Sequence, residues 1–196
     1  MKEDVLEQIV DDYLQHRGYF TMHNVRFRPE RGAKGWSGPK DSVHSDVDVV
    51  GINPRLRGPN KVWVVSCKSW QAGFSADRWL EKLEGGKNAG PKEAWKYLRE
   101  LWDEKWSDAF RTRIEELTGS RQFTYSIAVT RLRGDRDAWN RDATIRARLG
   151  GNPFKFLTVA EMWEQIVAET TRTQAGSEIG RLAQVLKAAG VVQIGN

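Results

Sequence analysis

The sequence predicts an α/β domain with a mixed β-sheet flanked by helices on both faces, one domain spanning 1–196. Three observations predict it. Apolar residues recur at three- and four-residue steps in some segments and as short β-branched runs in others, in the order α, three strands, helices, strand, helix, strand, helix. Two runs, Ser45–Val50 and Val62–Trp70, combine β-branched and aromatic residues between turn formers, as buried strands do. A chain of 196 residues can bury one sizeable core and is too short to expect two domains.

Residues 2–17 predict a helix, since Val5, Leu6, Ile9, Val10, Tyr13 and Leu14 cover one arc, and Gly18 stops it. Tyr19–Phe27 reads as a first strand, and Arg28–Asp41, rich in Gly, Pro, Lys and Arg, as a loop. The two charged strands follow, joined by a turn through Arg57-Gly58-Pro59-Asn60. A short helix is expected over 75–84. Lys92–Leu117 is expected to be the longest helix, about 39 Å at 1.5 Å per residue. Its Trp95, Leu98, Trp102, Trp106, Phe110, Ile114 and Leu117 form a stripe that favours core packing over base stacking. Phe123–Thr130 and Phe154–Leu157 read as strands and Asp137–Leu149 as a helix. Thr158-Val159-Ala160-Glu161 opens another helix with a capping box, and Glu178–Ala189 is the last.

Nine Trp and seven Phe argue against disorder although mean hydropathy is −0.62. A net charge of +5 and a pI near 9.4 make a polyanion a plausible partner. The charged start Met1-Lys2-Glu3-Asp4 predicts no secretory leader, and no apolar run approaches membrane-spanning length. Cys67 is the sole cysteine, so an internal disulfide and a multi-cysteine zinc site are excluded. A cytoplasmic location is expected.

The two charged strands carry the chemistry. Lys and Asp are rarely buried without a partner or a task, yet Asp48 and Lys68 sit in apolar runs. Strand alternation predicts that Asp46 and Asp48 share a face, as Ser66 and Lys68 do, with Cys67 on the opposite side of its strand. A structural ion pair explains Asp48 and Lys68 alone. Two neighbouring aspartates repel, however, and a divalent cation would relieve them. Glu7, at the margin of the first helix's apolar arc, can point towards the sheet. Asp48, Asp46 and Glu7 are hard oxygen ligands of the kind Mg²⁺ takes, and Lys68 can orient an attacking water or stabilise a phosphoryl transition state.

On these residues the chain resembles the PD-(D/E)XK nuclease superfamily. The resemblance covers residues up to 75: Glu7 in a helix ending at Gly18-Tyr19, Asp48 before Val49-Val50-Gly51, Lys68 closing Val62-Trp63-Val64-Val65, and Ser69-Trp70-Gln71 after it. It implies a restriction endonuclease-like core and Mg²⁺- or Mn²⁺-dependent hydrolysis of DNA. It also implies metal held by Asp48, Glu7, Asp46 and the Cys67 carbonyl, a catalytic Lys68, and a possible homodimer. The departure is Ser66, where the family has Asp or Glu. Three outcomes are open: Asp46 compensates, an acid from the following helix (Glu81 or Glu84) reaches in, or the fold serves as a catalytically silent binding module. Outside the family, Asp48 and Lys68 would merely pair.

Arg26, Arg28, Arg31, Lys34 and Lys40, with Trp36 among them, lead into the proposed site and are expected to bind nucleic acid. A second cluster, Arg131, Arg133, Arg136, Arg141, Arg146 and Arg148, is as consistent with a solvated face. His44 is expected at the surface. No Gly-x-Ser-x-Gly elbow surrounds Ser66, and no Gly-x-x-x-x-Gly-Lys-Ser/Thr loop occurs.

Overall fold

Asp4 caps the first helix: its carboxylate accepts the Leu6 N–H, and α1 runs over Val5–His16. The computed structural model describes residues 4–84, 96–102, 104–171 and 173–192. Gly18, at φ 80°, ends α1 in the left-handed conformation that a side chain would oppose. The chain then enters β1 (Phe20–Phe27), a short helix α2 (Gly38–Asp41), β2 (Ser45–Ile52) and, after one 3-10 turn, β3 (Val62–Lys68). Next come β4 (Phe74–Ser75), α3 (Ala76–Glu84), α4 (Arg99–Trp102), α5 (Glu104–Thr118) and β5 (Thr124–Val129). The last elements are β6 (Leu132–Arg133), α6 (Ala138–Arg141), α7 (Ala143–Arg148), β7 (Phe154–Thr158), α8 (Val159–Glu169) and α9 (Glu178–Ala188).

Five strands form a mixed sheet in the order β1-β2-β3-β5-β7, antiparallel across β1, β2 and β3 and parallel across β3, β5 and β7. One face packs a core that includes Val64, Tyr125, Ile127 and Phe156 against Trp79, Leu101, Trp106, Phe110 and Trp139. The other buries Val49, Trp63, Val65 and Ala128 under Leu6, Val10 and Leu14 of α1 and Met162 and Ile166 of α8. The chain is therefore α/β, with a mixed sheet covered on both faces. Among the described residues, no helix is long and apolar enough to cross a membrane.

Three expected elements differ. Part of the loop expected over 28–41 is helical, because Asp41 is fully buried and organises it. Its carboxylate accepts the Ser37 N–H (2.6 Å) and the Trp106 indole N–H (3.0 Å), and pairs with Lys105 (2.9 Å). Burial pushes the Asp41 pKa up, but these donors together outweigh it and leave the pKa lowered. The helix expected over 92–117 begins outside the described residues, and Lys96–Leu98 is not α-helical. The Ser107 hydroxyl donates to the Glu100 carbonyl at 2.7 Å. In a straight helix seven residues would separate them by about 10 Å along the axis, so α4 turns away from the line of α5. The helix expected over 137–149 breaks at Asp142, which is extended (ψ 124°) and whose side chain caps α7 by accepting the Ile145 N–H. Aspartate favours a cap over a helix interior.

The capping box at Thr158 is present. Glu161 closes it and also pairs with Arg136 at 2.5 Å, and chiefly the Arg136 hydrogen bond lowers the Glu161 pKa from 4.5 to about 2. A folded value below the unfolded one means that the ionised carboxylate stabilises the fold. That contribution is complete above about pH 4.5 and is lost as the pH falls towards 2. Unfolding free energies of wild type and Glu161→Gln from urea titrations, measured from pH 6 to 2.5, are expected to differ by about 1 kcal/mol at pH 6, the scale of an exposed pair plus a cap. They should converge in acid; a constant gap would refute the assignment.

Candidate functional site

The β2–β3 ladder pairs Ile52 with Val62 through to Val49 with Val65, and no further. At the next step the Asp48 side chain, not the backbone of β2, takes the Cys67 N–H: Asp48 Oδ2 accepts it at 2.5 Å. A residue's N–H and C=O point to the same side of a strand, so the Cys67 carbonyl faces the space that β2 vacates. On the other side of β2, Asn24 stands opposite Asp48 at φ 52°, where β1–β2 pairing is interrupted. Val47 and Val50 consequently lie in one core and Val49 in the other. Alternation breaks at Asp48. This overturns the expectation that Asp46 shares its face: Asp46 is exposed, and its charge acts on Asp48 only as a minor repulsion.

Around Asp48 the sheet gathers a buried polar cluster. Lys68 Nζ donates to Ser66 Oγ at 2.9 Å, and Ser66 is 3% exposed. Ser66 also lies near enough to Asp48 and Tyr125 to hold both of their pKa values down. Burial raises the Asp48 pKa; Lys68 and the Cys67 N–H pull against that rise.

A second buried acid stands near Asp48. Glu100 on α4 is 3% exposed, and its carboxylate accepts a hydrogen bond from Tyr125. Burial raises its pKa and Asp48 adds to the rise, while Lys68 and Tyr125 oppose it. Asp48, Lys68 and Glu100 therefore act on one another. Of the two acids expected to reach in, Glu81 is exposed and the Glu84 side chain lies outside the described residues. Glu100 escaped the sequence because, on one straight helix, it falls about 120° round from the middle of the Trp102–Trp106–Phe110 stripe. Only the turn between α4 and α5 brings it inward.

Glu7 is half-buried on α1, on the side of the sheet where Cys67 packs, and its charge reaches the Cys67 thiol. Burial pushes that thiol well above its ordinary value, with Asp48 adding to it, so Cys67 is a poor nucleophile. Among the described residues, no three Asp, Glu, His or Cys side chains are grouped to hold a metal ion; Glu7 and Asp46 do not complete a set with Asp48. Arg26, Arg28, Arg31, Lys34 and Lys40 are exposed and Trp36 is half-buried. Arg26, Arg28 and Lys34 line a cleft of about 760 Å³ beside α5, together with Glu30 and Glu104. His44 is exposed at the same cleft.

No protein-family model matches this chain, and no curated protein or solved structure matches it either.

A raised carboxylate pKa has the opposite linkage to that of Glu161. Folding binds the proton more tightly, so the contribution of Glu100 is favourable in acid and is lost as the pH rises through the raised value. Glu100→Gln is therefore expected to melt higher than wild type at pH 8. A gain on the order of 1 kcal/mol would be about 2–4 °C for a chain of this length. At pH 4 the two proteins should melt together. A variant less stable at pH 8 would show that the ionised carboxylate supports the fold.

Proposed function

We propose that this protein is a metal-dependent nuclease that hydrolyses DNA phosphodiester bonds, with a restriction endonuclease-like core. The observation that carries the reading is the coupled cluster of Asp48, Lys68 and Glu100 at the point where β2 leaves β3. Two carboxylates with raised pKa values in one buried cluster are what a divalent cation relieves. The Asp48 and Glu100 carboxylates and the Cys67 carbonyl form an all-oxygen donor set. Mg²⁺ takes one or two carboxylates and fills its remaining positions with water. These three groups would hold Mg²⁺ or Mn²⁺, which supplies a bound water of lowered pKa and positive charge at the phosphate.

This chain's own residues do the rest. The Lys68 ammonium, steadied by Ser66, orients the attacking water and faces the charge that develops on the phosphate oxygens. The Cys67 N–H holds Asp48 Oδ2 and so fixes the carboxylate at the site. Tyr125 fixes the Glu100 carboxylate in the same way. Arg26, Arg28, Arg31, Lys34 and Lys40 contact DNA phosphates beyond the scissile bond.

Ser66, a neutral hydroxyl at the centre of the cluster, favours a second reading: a catalytically silent relative that binds DNA. Incubation with supercoiled plasmid in Mg²⁺ or Mn²⁺ separates the two. The nuclease reading predicts nicking that Asp48→Ala, Lys68→Ala and Glu100→Ala each reduce at least 100-fold, while Asp46→Ala stays within about threefold of wild type. Nicking that survives Asp48→Ala would refute it. Binding without nicking, with activity appearing in Ser66→Glu, would establish the silent relative.

A further inference from the structure

We propose that Arg131 and Arg133 form a phosphate-binding step for the DNA strand beside the Asp48–Lys68–Glu100 cluster. The inference rests on reading that cluster as a nuclease site. β5 ends at Val129, whose register partner in β3 is Lys68. Beyond that pair the two chains stay bound together. Thr130 Oγ1 donates to the Trp70 carbonyl at 2.6 Å, the Phe74 N–H donates to the Arg131 carbonyl at 2.8 Å, and β6 pairs in parallel with β4. The segment that follows the catalytic lysine is thus fastened to the segment that carries the two arginines.

Leu132 packs against the core while Arg131 and Arg133 are exposed, so both arginines stand on the outer side of an extended backbone. Arg131 precedes β6 and Arg133 ends it, with Leu132 alone between them, so their backbones lie about 6–7 Å apart, near the step between successive phosphates of a polynucleotide. Gly73 underlies the arrangement. At φ 79° a Cβ there would meet the Arg131 carbonyl at 2.8 Å and its Nε at 3.5 Å. Glycine therefore lets the Arg131 side chain lie over the turn that follows Lys68.

Charge separates this pair from the other basic residues. Arg136 is held by Glu161 and Arg141 by Asp135, whereas Arg131 and Arg133 make no ion pair among the described residues. Nearby Asp77 is turned to the Asp135 N–H at 3.1 Å. Arg26, Arg28 and Lys34, by contrast, share their cleft with Glu30 and Glu104, which offset part of their charge. The arginine pair next to Lys68 is the less compensated of the two surfaces.

Fluorescence anisotropy of the full chain with a labelled 20-base-pair DNA duplex in EDTA, from 50 to 200 mM NaCl, tests the proposal without cleavage. Arg131→Ala/Arg133→Ala is expected to weaken binding about tenfold and to reduce the salt slope by about 1.8, two contacts at 0.9 each. The Lys/Lys pair should restore the slope. Arg55→Ala/Arg57→Ala, in the turn at the opposite end of the sheet, should change neither. Wild-type affinity and slope in the Ala/Ala variant would overturn the proposal. So would equal losses in the two double variants, or no binding by wild type. Unchanged binding with normal nicking removes only the arginine step. Arginine-dependent binding with no nicking by wild type removes only the hydrolytic reading.

Discussion

The Cys67 N–H, given to a carboxylate instead of a ladder carbonyl, both ends the β2–β3 pairing and holds Asp48 at the point of parting. A buried N–H without an acceptor costs about 1–3 kcal/mol, and a hydrogen bond to a charged group returns about 1.5–3 kcal/mol. The strands can separate there because the side chain satisfies what the backbone gives up. The same bond keeps Asp48 beside Ser66 and Lys68, and it opens the space that the Cys67 carbonyl faces. Asn24, in the left-handed conformation that asparagine tolerates, allows β1 to follow the change of face.

The cluster built on that bond is costly in an apolar fold. Asp48 and Glu100 both have raised pKa values because burial disfavours their charge, and the Asp48 charge adds to the rise at Glu100. Among the described residues, Lys68 lowers the pKa of both, and Arg99 also feels the Glu100 charge. Burial still holds both carboxyls above their ordinary values, and a divalent cation would relieve them. Interior positions that cost stability and gather opposed charges are where function is expected.

Asp48, Ser66 and Lys68 were legible in the sequence because strand period and apolar flanks determine where such residues go. So was the covered mixed sheet, whose strands and helices alternate plainly. The role of Asp46 was misread, since strict alternation carried it to the face of Asp48 and nothing in the β2 residues announces the break. Glu100 was not legible at all. Helical periodicity assigns it to the outer side of one long helix, and only Ser107 folding back on the Glu100 carbonyl reverses that. The buried anchor Asp41 was likewise hidden in a segment whose composition reads as loop.

The most direct measurement of the central claim is Mn²⁺ binding by calorimetry across about pH 4 to 7, in two buffers of different ionisation enthalpy. A carboxyl that is still protonated releases its proton when a cation binds, and a raised pKa extends that release to higher pH. Wild type should therefore bind Mn²⁺ with a buffer-dependent enthalpy, and Glu100→Gln should lose both most of the affinity and the proton release. Equal binding and equal proton release in the two proteins would contradict the account, because Glu100 would then have no part in the site.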